Sequence, residues 1–578
     1  MRAFVSGLCR VLGVPLFVVG TLATYGATVG KDLWVEQLWK HGVRSFWILE
    51  PDPRLAICVL SAGVLLSIIG NLAYRKPLEE SVSHGSARFA TTEELRKFGY
   101  SEAAVDWWTR FKIGLALATY PHVNGVVLGQ EDTAVLQMSL GKSGSPALKV
   151  KKSAPLVVVR EHHVAIEGPP GSGKDVSIAI PALWYDVGRS VVVLDPKGNQ
   201  YKRTARARGV HSVVRCFAPI DPDSDQFNLL CRIPVGTPYE ISEVDQLSNA
   251  LLSVAKDDKD PSTFYSTAAQ PLLTAAIIYV LHNKKAAAKT LPAAFDIINA
   301  PGEPKDIALR ICAGLPKHAS VLKDQLETLA NDKRIIQSMF TTCTTKLNFC
   351  SLPTVRAAIS GSDFVPSDLF DRDVPCSLYL VTPFKYADTL RPLMKAVLNI
   401  LIGSHSEKRN FDTCYYLNEF PSLGPVPAIP RAAAEIREYG VQFAFFWQSE
   451  GQILATYGKE AGQAILDVCR ARVMLGVTGR LAAENATAMI GKGTVVRERE
   501  TTAVSKKNIF ETTHTKTHGV GEQAREKMTP DEVRTIGPDK LLIWLPYLHA
   551  YVAKRCVSYS QPRFRKALSL SMENINVR

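Results

Sequence analysis

The sequence predicts an α/β protein in which a parallel sheet is interrupted by a helical domain and preceded by two transmembrane helices. Three observations lead to this fold class. Two uncharged apolar runs lie near the N-terminus, a glycine-rich loop at 168–174 follows a predicted strand, and strand patterns give way to helical patterns between about 238 and 352. The chain has 578 residues, which is enough for several domains at about 150 residues each.

The composition is that of a folded protein with an excess of basic residues. Hydrophobic residues make up 46% of the chain and charged residues 21%, which excludes a disordered chain. The formal net charge of +13 favours a polyanionic partner, and both nucleic acid and anionic lipid headgroups fit this description. The 11 cysteines include no CxxC pair, which indicates a reduced body without a structural metal site.

The first element is a pair of transmembrane helices, predicted at residues 11–30 and 55–74 because neither run contains a charge. Each run has about 20 residues, or roughly 30 Å of helix, which matches the apolar core of a bilayer. A cleaved signal peptide is the alternative for the first run, because a basic stretch precedes it. The second run is also bounded by basic residues and favours a helical hairpin that stays in the membrane.

An even number of spans places both termini on one side of the membrane. The loop between the spans, 31–54, has balanced charges. The outer flanks of the two spans carry the basic residues Arg2, Arg10, Arg75 and Lys76. Because positive flanks stay on the cytoplasmic side, we expect both termini in the cytoplasm and the loop on the opposite side.

The next element is a loop with the GxxxxGK spacing of a phosphate-binding loop. It reads GPPGSGK at 168–174, after an apolar strand pattern at 164–166 and before a helical pattern at 176–180. Its glycines let backbone N–H groups converge on an anion, and the lysine, Lys174, reaches the outer phosphates of a nucleotide. A chance Gly/Pro turn before a helix is the alternative. We expect the nucleotide to contact Gly168, Pro169, Pro170, Gly171, Ser172, Gly173, Lys174, Asp175 and Val176.

Later strand patterns end in polar residues. The pattern at 414–417 is followed by Asn418 and Glu419, and Glu419 is the candidate for the carboxylate that activates the attacking water. The pattern at 441–447 is followed by Gln448, whose amide would lie where a γ-phosphate sensor does. The carboxyl ends of parallel strands meet at one sheet edge, where ligands bind. A buried strand that ends in a polar cap is the alternative for each pattern.

Two residues depart from the usual magnesium site. Asp175 follows the lysine, where a Ser or Thr hydroxyl normally ligates Mg²⁺, and Asn418 precedes the glutamate, where an aspartate is usual. The acid and the neutral group have exchanged places, so Asp175 and Asn418 are the candidate Mg²⁺ ligands. A strand at 191–194 also ends in an acid, Asp195, but the segment with Glu419 fits the metal-binding strand better.

With these motifs, the chain resembles the coupling-protein ATPases of type IV secretion systems, the TraG-type conjugation family, which are relatives of the FtsK-like hexameric DNA translocases. The motifs run in family order over about residues 80–555. They are HGSAR at 84–88, the phosphate-binding loop, DPKG at 195–198, LNEFPSLG at 417–424, Gln448 followed by ATYG at 455–458, and MTPDEV at 528–533.

The resemblance implies a RecA-like nucleotide-binding domain with an inserted all-α domain. We expect a transmembrane anchor at 1–80 with a periplasmic loop at 31–54, a RecA-like domain at 81–237 and 353–578, and an all-α domain at 238–352. Helical patterns at 244–254, 268–280 and 322–329 support the insertion independently.

The resemblance also implies a function and a set of partners. The expected protein lies in the bacterial inner membrane, binds ATP and Mg²⁺, and passes relaxase-bound single-stranded DNA or effector proteins to a type IV secretion channel. Assembly as a homo-hexamer with ATP at subunit junctions is implied, and Arg472 is the candidate for an arginine finger. A structural arginine at the start of a strand is the alternative for Arg472.

Two other functions remain open from the sequence. A non-catalytic membrane receptor with a degenerate ATP site would explain Asp175 and Asn418. An FtsK-like DNA translocase is the other alternative, although the sequence around Glu419 and the short anchor favour the secretion family. The polar stretch at 494–527 has no apolar periodicity and predicts an exposed hairpin or a flexible insertion, with substrate contact as a further alternative.

Overall fold

The fold is taken from a computed structural model. It describes residues 87–98, 100–101, 125–131, 135–139, 149–153, 156–253, 261–508, 511–561 and 564–575. The predicted transmembrane helices at 11–30 and 55–74 therefore lie outside the described residues. Contacts divide the chain into two units, of which the larger comprises Ala87–Gly493 and Arg525–Arg578.

The larger unit is built on an 11-stranded mixed sheet. Its strands in chain order are β1 (Val126–Gln130), β4 (Leu156–Val159), β5 (Val164–Glu167), β6 (Ser190–Asp195), β7 (Val213–Phe217), β8 (Cys376–Val381), β9 (Thr413–Leu417), β10 (Val441–Trp447), β11 (Ala471–Met474), β14 (Lys540–Trp544) and β15 (Tyr551–Lys554). A separate antiparallel pair consists of β2 (Val135–Ser139) and β3 (Lys149–Ser153).

The order across the sheet is β4-β1-β15-β14-β11-β5-β10-β9-β6-β8-β7. The seven strands from β11 to β7 are parallel to one another. The four strands from β4 to β14 continue the sheet with antiparallel pairing. Strand β5, which leads into the phosphate-binding loop, is thus an interior strand of the parallel part, between β11 and β10.

Helices cover both faces of the sheet or form the helical insertion. In chain order they are α1 (Thr92–Lys97), α2 (Ile180–Tyr185), α3 (Asn199–Arg208), α4 (Glu240–Leu252), α5 (Pro261–Asn283), α6 (Leu291–Ile298), α7 (Pro304–Ala313), α8 (Ser320–Ala330), α9 (Lys333–Lys346), α10 (Pro353–Ala358), α11 (Ala387–Gly403), α12 (Ala428–Glu435), α13 (Glu450–Tyr457), α14 (Lys459–Val468), α15 (Arg480–Ile490), α16 (Pro530–Arg534) and α17 (Arg565–Ile575).

The parallel strands are buried on both faces, and their side chains alternate between two cores. In β6, Val191 and Val193 pack into one cluster, whereas Val192 and Leu194 pack into the other. Successive side chains of a strand point to opposite faces, so a strand covered on both sides needs a continuous apolar run. Fully burying one such side chain contributes roughly 1.5–3 kcal/mol. This requirement explains the β-branched run at the centre of β6.

The helices α4 to α9 occupy the range 238–352, in which the sequence predicts the all-α domain. Their core is continuous with the core on one face of the sheet, since Val192 of β6 and Leu273 of α5 belong to the same cluster. Among the described residues, one stretch, Phe264–Asn283 of α5, is long and apolar enough to cross a membrane. Most of its apolar side chains are buried among the surrounding helices, as in the central helix of a soluble bundle.

The smaller unit contains Thr494–Ala524. Here two long strands, β12 (Lys492–Asn508) and β13 (Glu511–Glu526), form a two-stranded sheet of their own. The sequence predicts either a hairpin or a flexible insertion for the polar stretch at 494–527, and the structure contains a hairpin.

Candidate nucleotide-binding site

The phosphate-binding loop connects β5 to a π-helical turn, Asp175–Ala179, that continues into α2. Gly171 and Gly173 have φ angles of 77° and 82°, which favour glycine. At Gly168, a Cβ would lie 2.7 Å from Ser172 Oγ and 2.8 Å from Leu475 O, so the close packing of the loop also excludes a side chain there. The three glycines thus make the tight loop possible. The turn that follows is also notable, because π-helical turns are rare in proteins and often lie at functional sites.

Lys174 lies against the loop that it follows. Its Nζ donates to the carbonyl oxygen of Gly168 and, at 3.4 Å, to that of Pro169. Burial lowers the pKa of Lys174, and the charges of Asp175 and Glu419 oppose this shift. The amine is therefore held at the loop, in a position to bind an anion that the backbone N–H groups of the loop also contact.

Asp175 is the first residue of the π-helical turn. Its Oδ1 lies 3.4 Å from Nε2 of Gln200, which is at the start of α3. Burial raises the pKa of the Asp175 carboxyl, while the hydrogen bond from Gln200 and the charge of Lys174 lower it. A carboxylate in this position is stabilised further by a cation that shares its environment.

Asn418 follows β9 and is almost fully buried, at 5% exposure. Its Nδ2 donates to Leu194 O at 3.2 Å. Its Oδ1 is buried without a hydrogen-bond partner among the described residues, and so is Oε1 of Gln200. Unpaired buried acceptors are uncommon because they lose their bonds to water. Both oxygens can accept a hydrogen bond from water in the shell of a metal ion.

Glu419 has a left-handed backbone conformation, with φ of 47° and ψ of 33°. This conformation is rare for residues other than glycine and costs about 1–3 kcal/mol. Its side chain is 41% exposed, and Oε1 lies 3.7 Å from Nζ of Lys197. The carboxylate is therefore accessible to solvent beside a basic residue, at the same sheet edge as the phosphate-binding loop.

Asp195 has a different role from Asn418 and Glu419, although it also ends a strand. Its Oδ2 accepts from the backbone N–H groups of Gln200 at 2.8 Å and Tyr201 at 2.9 Å. It thus satisfies two N–H groups in the first turn of α3, which otherwise lack partners within the helix. This contact explains the acid at the end of β6 without a metal.

Gln448 lies beside the start of the phosphate-binding loop. Glu167 of β5 pairs with Trp447 of β10, and the N–H of Gly168 donates to Trp447 O at 3.2 Å. Gln448 and Gly168 therefore leave neighbouring strands side by side. Contact of the Gln448 side chain with the outer phosphate stays a prediction.

Arg472 lies on β11, where bonds within its own chain hold the guanidinium. It pairs with Glu450 Oε1 at 3.0 Å and donates to Leu466 O at 2.7 Å. These contacts favour a structural role, the alternative interpretation of this arginine. The finger role remains a prediction.

Two residues of the site carry no motif that points to them. Arg555, which follows β15, donates from Nη1 to Ser172 O at 2.6 Å and so contacts the phosphate-binding loop from a distant part of the chain. Glu167, the last residue of β5, is 7% exposed. Burial raises the pKa of Glu167 to about 7, and the nearby Glu450 adds to the shift.

Comparisons with solved structures agree with the fold. The plasmid coupling protein TrwB in complex with ADP and Mg²⁺ has 15% sequence identity and a TM-score of 0.55, over 77% of this chain and 98% of that chain. TrwB in complex with the non-hydrolysable ATP analogue ADPNP has 14% identity and a TM-score of 0.53 over similar shares. Likeness at this level of identity shows a common fold, the RecA-like fold with a mixed sheet and helices.

Comparisons of sequence identify the family as well as the fold. The conjugal transfer protein TraG of Escherichia coli is 26% identical over 93% of this chain and 87% of its own length. Protein VirD4 of Agrobacterium fabrum is 24% identical over 92% of this chain and 75% of its own length. The family model described as type IV secretory system conjugative DNA transfer matches residues 124–575. Because that match spans most of the chain and includes the whole phosphate-binding loop, the chain belongs to the type IV secretory system conjugative DNA transfer family.

Proposed function

We propose that the chain is the ATPase coupling protein of a type IV secretion system. It binds ATP with Mg²⁺ at the loop around Lys174 and uses hydrolysis to energise substrate entry into the secretion channel. The substrate is relaxase-bound single-stranded DNA, an effector protein, or both. Family membership supports the association with secretion, and the site supports the use of a nucleotide.

The observation that carries this proposal is the convergence of four side chains at the carboxyl edge of the parallel strands. Lys174 and Asp175 follow β5, and Asn418 and Glu419 follow β9. The charges of Asp175 and Glu419 are close enough to shift the pKa of Lys174. Anion-binding groups, an acid and an unpaired acceptor thus share the edge where nucleotides bind in sheets of this kind.

Each group has a distinct task in the proposed reaction. The loop N–H groups and Lys174 bind and orient the phosphates. Glu419 accepts a proton from the attacking water, and its strained backbone and exposed carboxylate suit this role. Gln448, beside Gly168, donates a hydrogen bond to the outer phosphate and so acts as the sensor that distinguishes ATP from ADP. Positioning and charge stabilisation are the main contributions that a protein makes to phosphoryl transfer.

Asp175 and Asn418 fit a magnesium ion by the chemistry of their donors. The carboxylate of Asp175 and the unpaired Oδ1 of Asn418 are oxygen ligands of the kind that Mg²⁺ prefers, and they would hold the ion. When bound, the ion neutralises charge on the phosphate oxygens. TrwB binds ADP with Mg²⁺, and we extend this cofactor to the present chain.

The departures at Asp175 and Asn418 also favour one competing function. A membrane receptor that docks substrates without hydrolysing ATP would tolerate loss of the usual hydroxyl and the usual aspartate. The geometry favours the catalytic proposal, because Asn418 Oδ1 is buried without a protein partner and Glu419 retains a strained backbone. Both features are unfavourable for stability, and a site without catalytic function would gain nothing from the unpaired oxygen or from the strained backbone.

We extend the proposal to the assembly and its location. The chain is proposed to be a homo-hexamer in the bacterial inner membrane, with an anchor at 1–80 and the nucleotide-binding body in the cytoplasm. The RecA-like domain would comprise 81–237 and 353–578, and the all-α domain 238–352. In such a ring Arg472 would have to leave Glu450 to reach a neighbouring site, since the two are paired at 3.0 Å.

Lys174→Ala tests the proposal. The matched control is Lys408→Ala, which removes an exposed lysine before β9, at the opposite edge of the sheet. We expect Lys174→Ala to abolish nucleotide binding and substrate transfer in cells that lack the native gene, because the charge aimed at the phosphates is lost. The control should behave as wild type. Normal transfer by Lys174→Ala would favour the non-catalytic receptor.

A further inference from the structure

A second cluster of metal-binding side chains lies in the helical region, outside the nucleotide site. It consists of Glu240, the first residue of α4, His282 near the end of α5, and His318 in the turn before α8. His282 Nε2 lies 2.8 Å from Glu240 Oε1, and His318 Nε2 lies 3.1 Å from Glu240 Oε2. One carboxylate is thus held between two imidazoles from different segments.

The carboxylate at the centre of this cluster is buried. The Glu240 side chain has 0% exposure, and its Oε2 also accepts from the N–H of Gly236 at 2.8 Å. In the described part of the chain, its partners within ion-pair distance are the two imidazoles. Burying a carboxylate is unfavourable unless its charge is balanced and its oxygens are hydrogen-bonded. A divalent cation among the three side chains would balance it.

The spacing of the donor atoms suits such a cation. The ligand atoms of all three residues lie within 4.8 Å of one another. Adjacent ligands of a tetrahedral ion with bonds of 2.0–2.1 Å are about 3.3 Å apart, a value between the 2.8 Å contact of His282 with Glu240 and the 4.8 Å that encloses all three ligand atoms. Two imidazoles and a carboxylate are a ligand set that binds zinc. The N–H of Gly236 also orients the carboxylate, as outer contacts do in metal sites.

We propose that Glu240, His282 and His318 bind a zinc-like divalent transition metal. The ion ties the start of α4 to the end of α5 and to the turn Lys317–Ala319, and so stabilises the helical region. The two histidine side chains are 25% and 40% exposed. A metal can therefore enter from solvent, and at least one coordination position remains for water.

The cysteine spacing could not reveal this site, because its ligands are histidines and a glutamate. His282 and His318 lie 42 and 78 positions from Glu240, far beyond the spacing of a local metal-binding motif. Only the packing of α4, α5 and the turn before α8 brings the three together. The site lies entirely within the larger unit of the chain.

The test uses the purified full-length chain, free of affinity tags, with excess Mg²⁺ to saturate sites made only of oxygen donors. Zinc content after dialysis is compared between wild type, His282→Gln, His318→Gln and the double variant. The matched control is His549→Gln, an exposed histidine outside the cluster. Both cluster histidines are on the surface, so their replacement should leave the helical fold intact, which circular dichroism checks.

We expect wild type and the control to retain about one zinc ion that the double variant does not, with at least tenfold weaker binding in each single variant. Cobalt substituted for zinc should give the visible absorption of a tetrahedral complex in wild type and in the control, and not in the double variant. Zinc should also raise the melting temperature of wild type by about 5 °C, reversibly with a chelator. Equal zinc content in wild type and the double variant would overturn the proposal, as would failure of wild type to bind zinc, which would leave a hydrogen-bonded cluster only.

Discussion

Glu419 and Tyr547 are the non-glycine residues with positive φ in the described part of the chain. At Glu419 the unfavourable conformation coincides with the end of β9 and with the candidate catalytic carboxylate. Strain of this kind persists when the surrounding structure enforces it, and it concentrates at active sites. The backbone of Glu419 therefore supports the same assignment that its position in the sequence predicts.

The first prediction concerns the exchange of acid and neutral group between Asp175 and Asn418. If the exchange is one compensated change, Asp175→Thr should lower ATP turnover by about 10–100-fold, because no carboxylate is left to ligate the metal. Asn418→Asp should also impair turnover, because it adds a second negative charge near Asp175. The double variant restores the usual pair and should recover activity.

Steady-state ATP turnover in the four proteins tests this coupling. Additive losses in the double variant would show that the two sites are independent, since coupled residues deviate from additivity. Nucleotide affinity measured in parallel separates loss of binding from loss of chemistry.

The second prediction concerns Glu167. Its folded pKa of about 7 lies above the ordinary value of 4.5, so the folded chain binds a proton more tightly than the unfolded chain does. Its contribution to stability is complete below pH 4.5 and is lost as the pH rises through about 7, a change of about 3 kcal/mol. Unfolding of wild type and Glu167→Gln, followed from pH 5 to pH 8, should show a smaller loss of stability in the variant. Parallel pH profiles would contradict the shift.

Local spacing accounts for the site residues that the sequence predicts. GxxxxGK at the end of a strand and the pair Asn418-Glu419 after another strand are contiguous patterns with a chemical meaning. Arg555 and Glu167 have no such pattern. Arg555 is far from Ser172 in the sequence, and the two come into contact only because β15 is part of the same sheet. The pKa of Glu167 depends on burial and on the charge of Glu450, which are properties of the folded chain.

For the strands and helices, the sequence predicts correctly those features that depend on a short, contiguous stretch of the chain. The apolar pattern at 441–447 coincides with β10, and the pattern at 164–166 falls within β5. The turn after the phosphate-binding loop is π-helical at Asp175–Ala179, a detail that the helical pattern at 176–180 does not contain. The order of the 11 strands depends on pairing between distant segments, which periodicity along the chain does not encode.

The third prediction concerns the hairpin of β12 and β13. Every residue placed at the phosphate-binding loop belongs to the larger unit, whereas Thr494–Ala524 belongs to the smaller one. The N–H of Lys527 donates to Gly491 O at 3.1 Å, so the two ends of the hairpin are adjacent and a short linker can replace it. We expect this deletion to leave ATP affinity unchanged within about twofold, as measured by calorimetry or fluorescent-nucleotide titration. A tenfold loss of ATP affinity would contradict this prediction.

Considered as a whole, the molecule carries a formal net charge of +13. The fourth prediction is that the nucleotide-binding body binds single-stranded DNA with little sequence preference. Its affinity should fall by roughly 10–1,000-fold between 50 and 200 mM salt, because each phosphate contact releases counterions. Titrations with two unrelated sequences of equal length provide the control. Absence of binding at low salt would indicate protein cargo.

The proposed activity is ATP hydrolysis at the loop around Lys174, despite Asp175 and Asn418. The most direct test is ATP turnover by wild type and Glu419→Gln, with nucleotide binding measured on both. Glu407→Gln is the control, because Glu407 is an exposed acid before β9, at the opposite edge of the sheet. We expect turnover by wild type and the control, and nucleotide binding without turnover by Glu419→Gln. Wild type that supports substrate transfer without measurable ATP turnover would contradict the proposed activity.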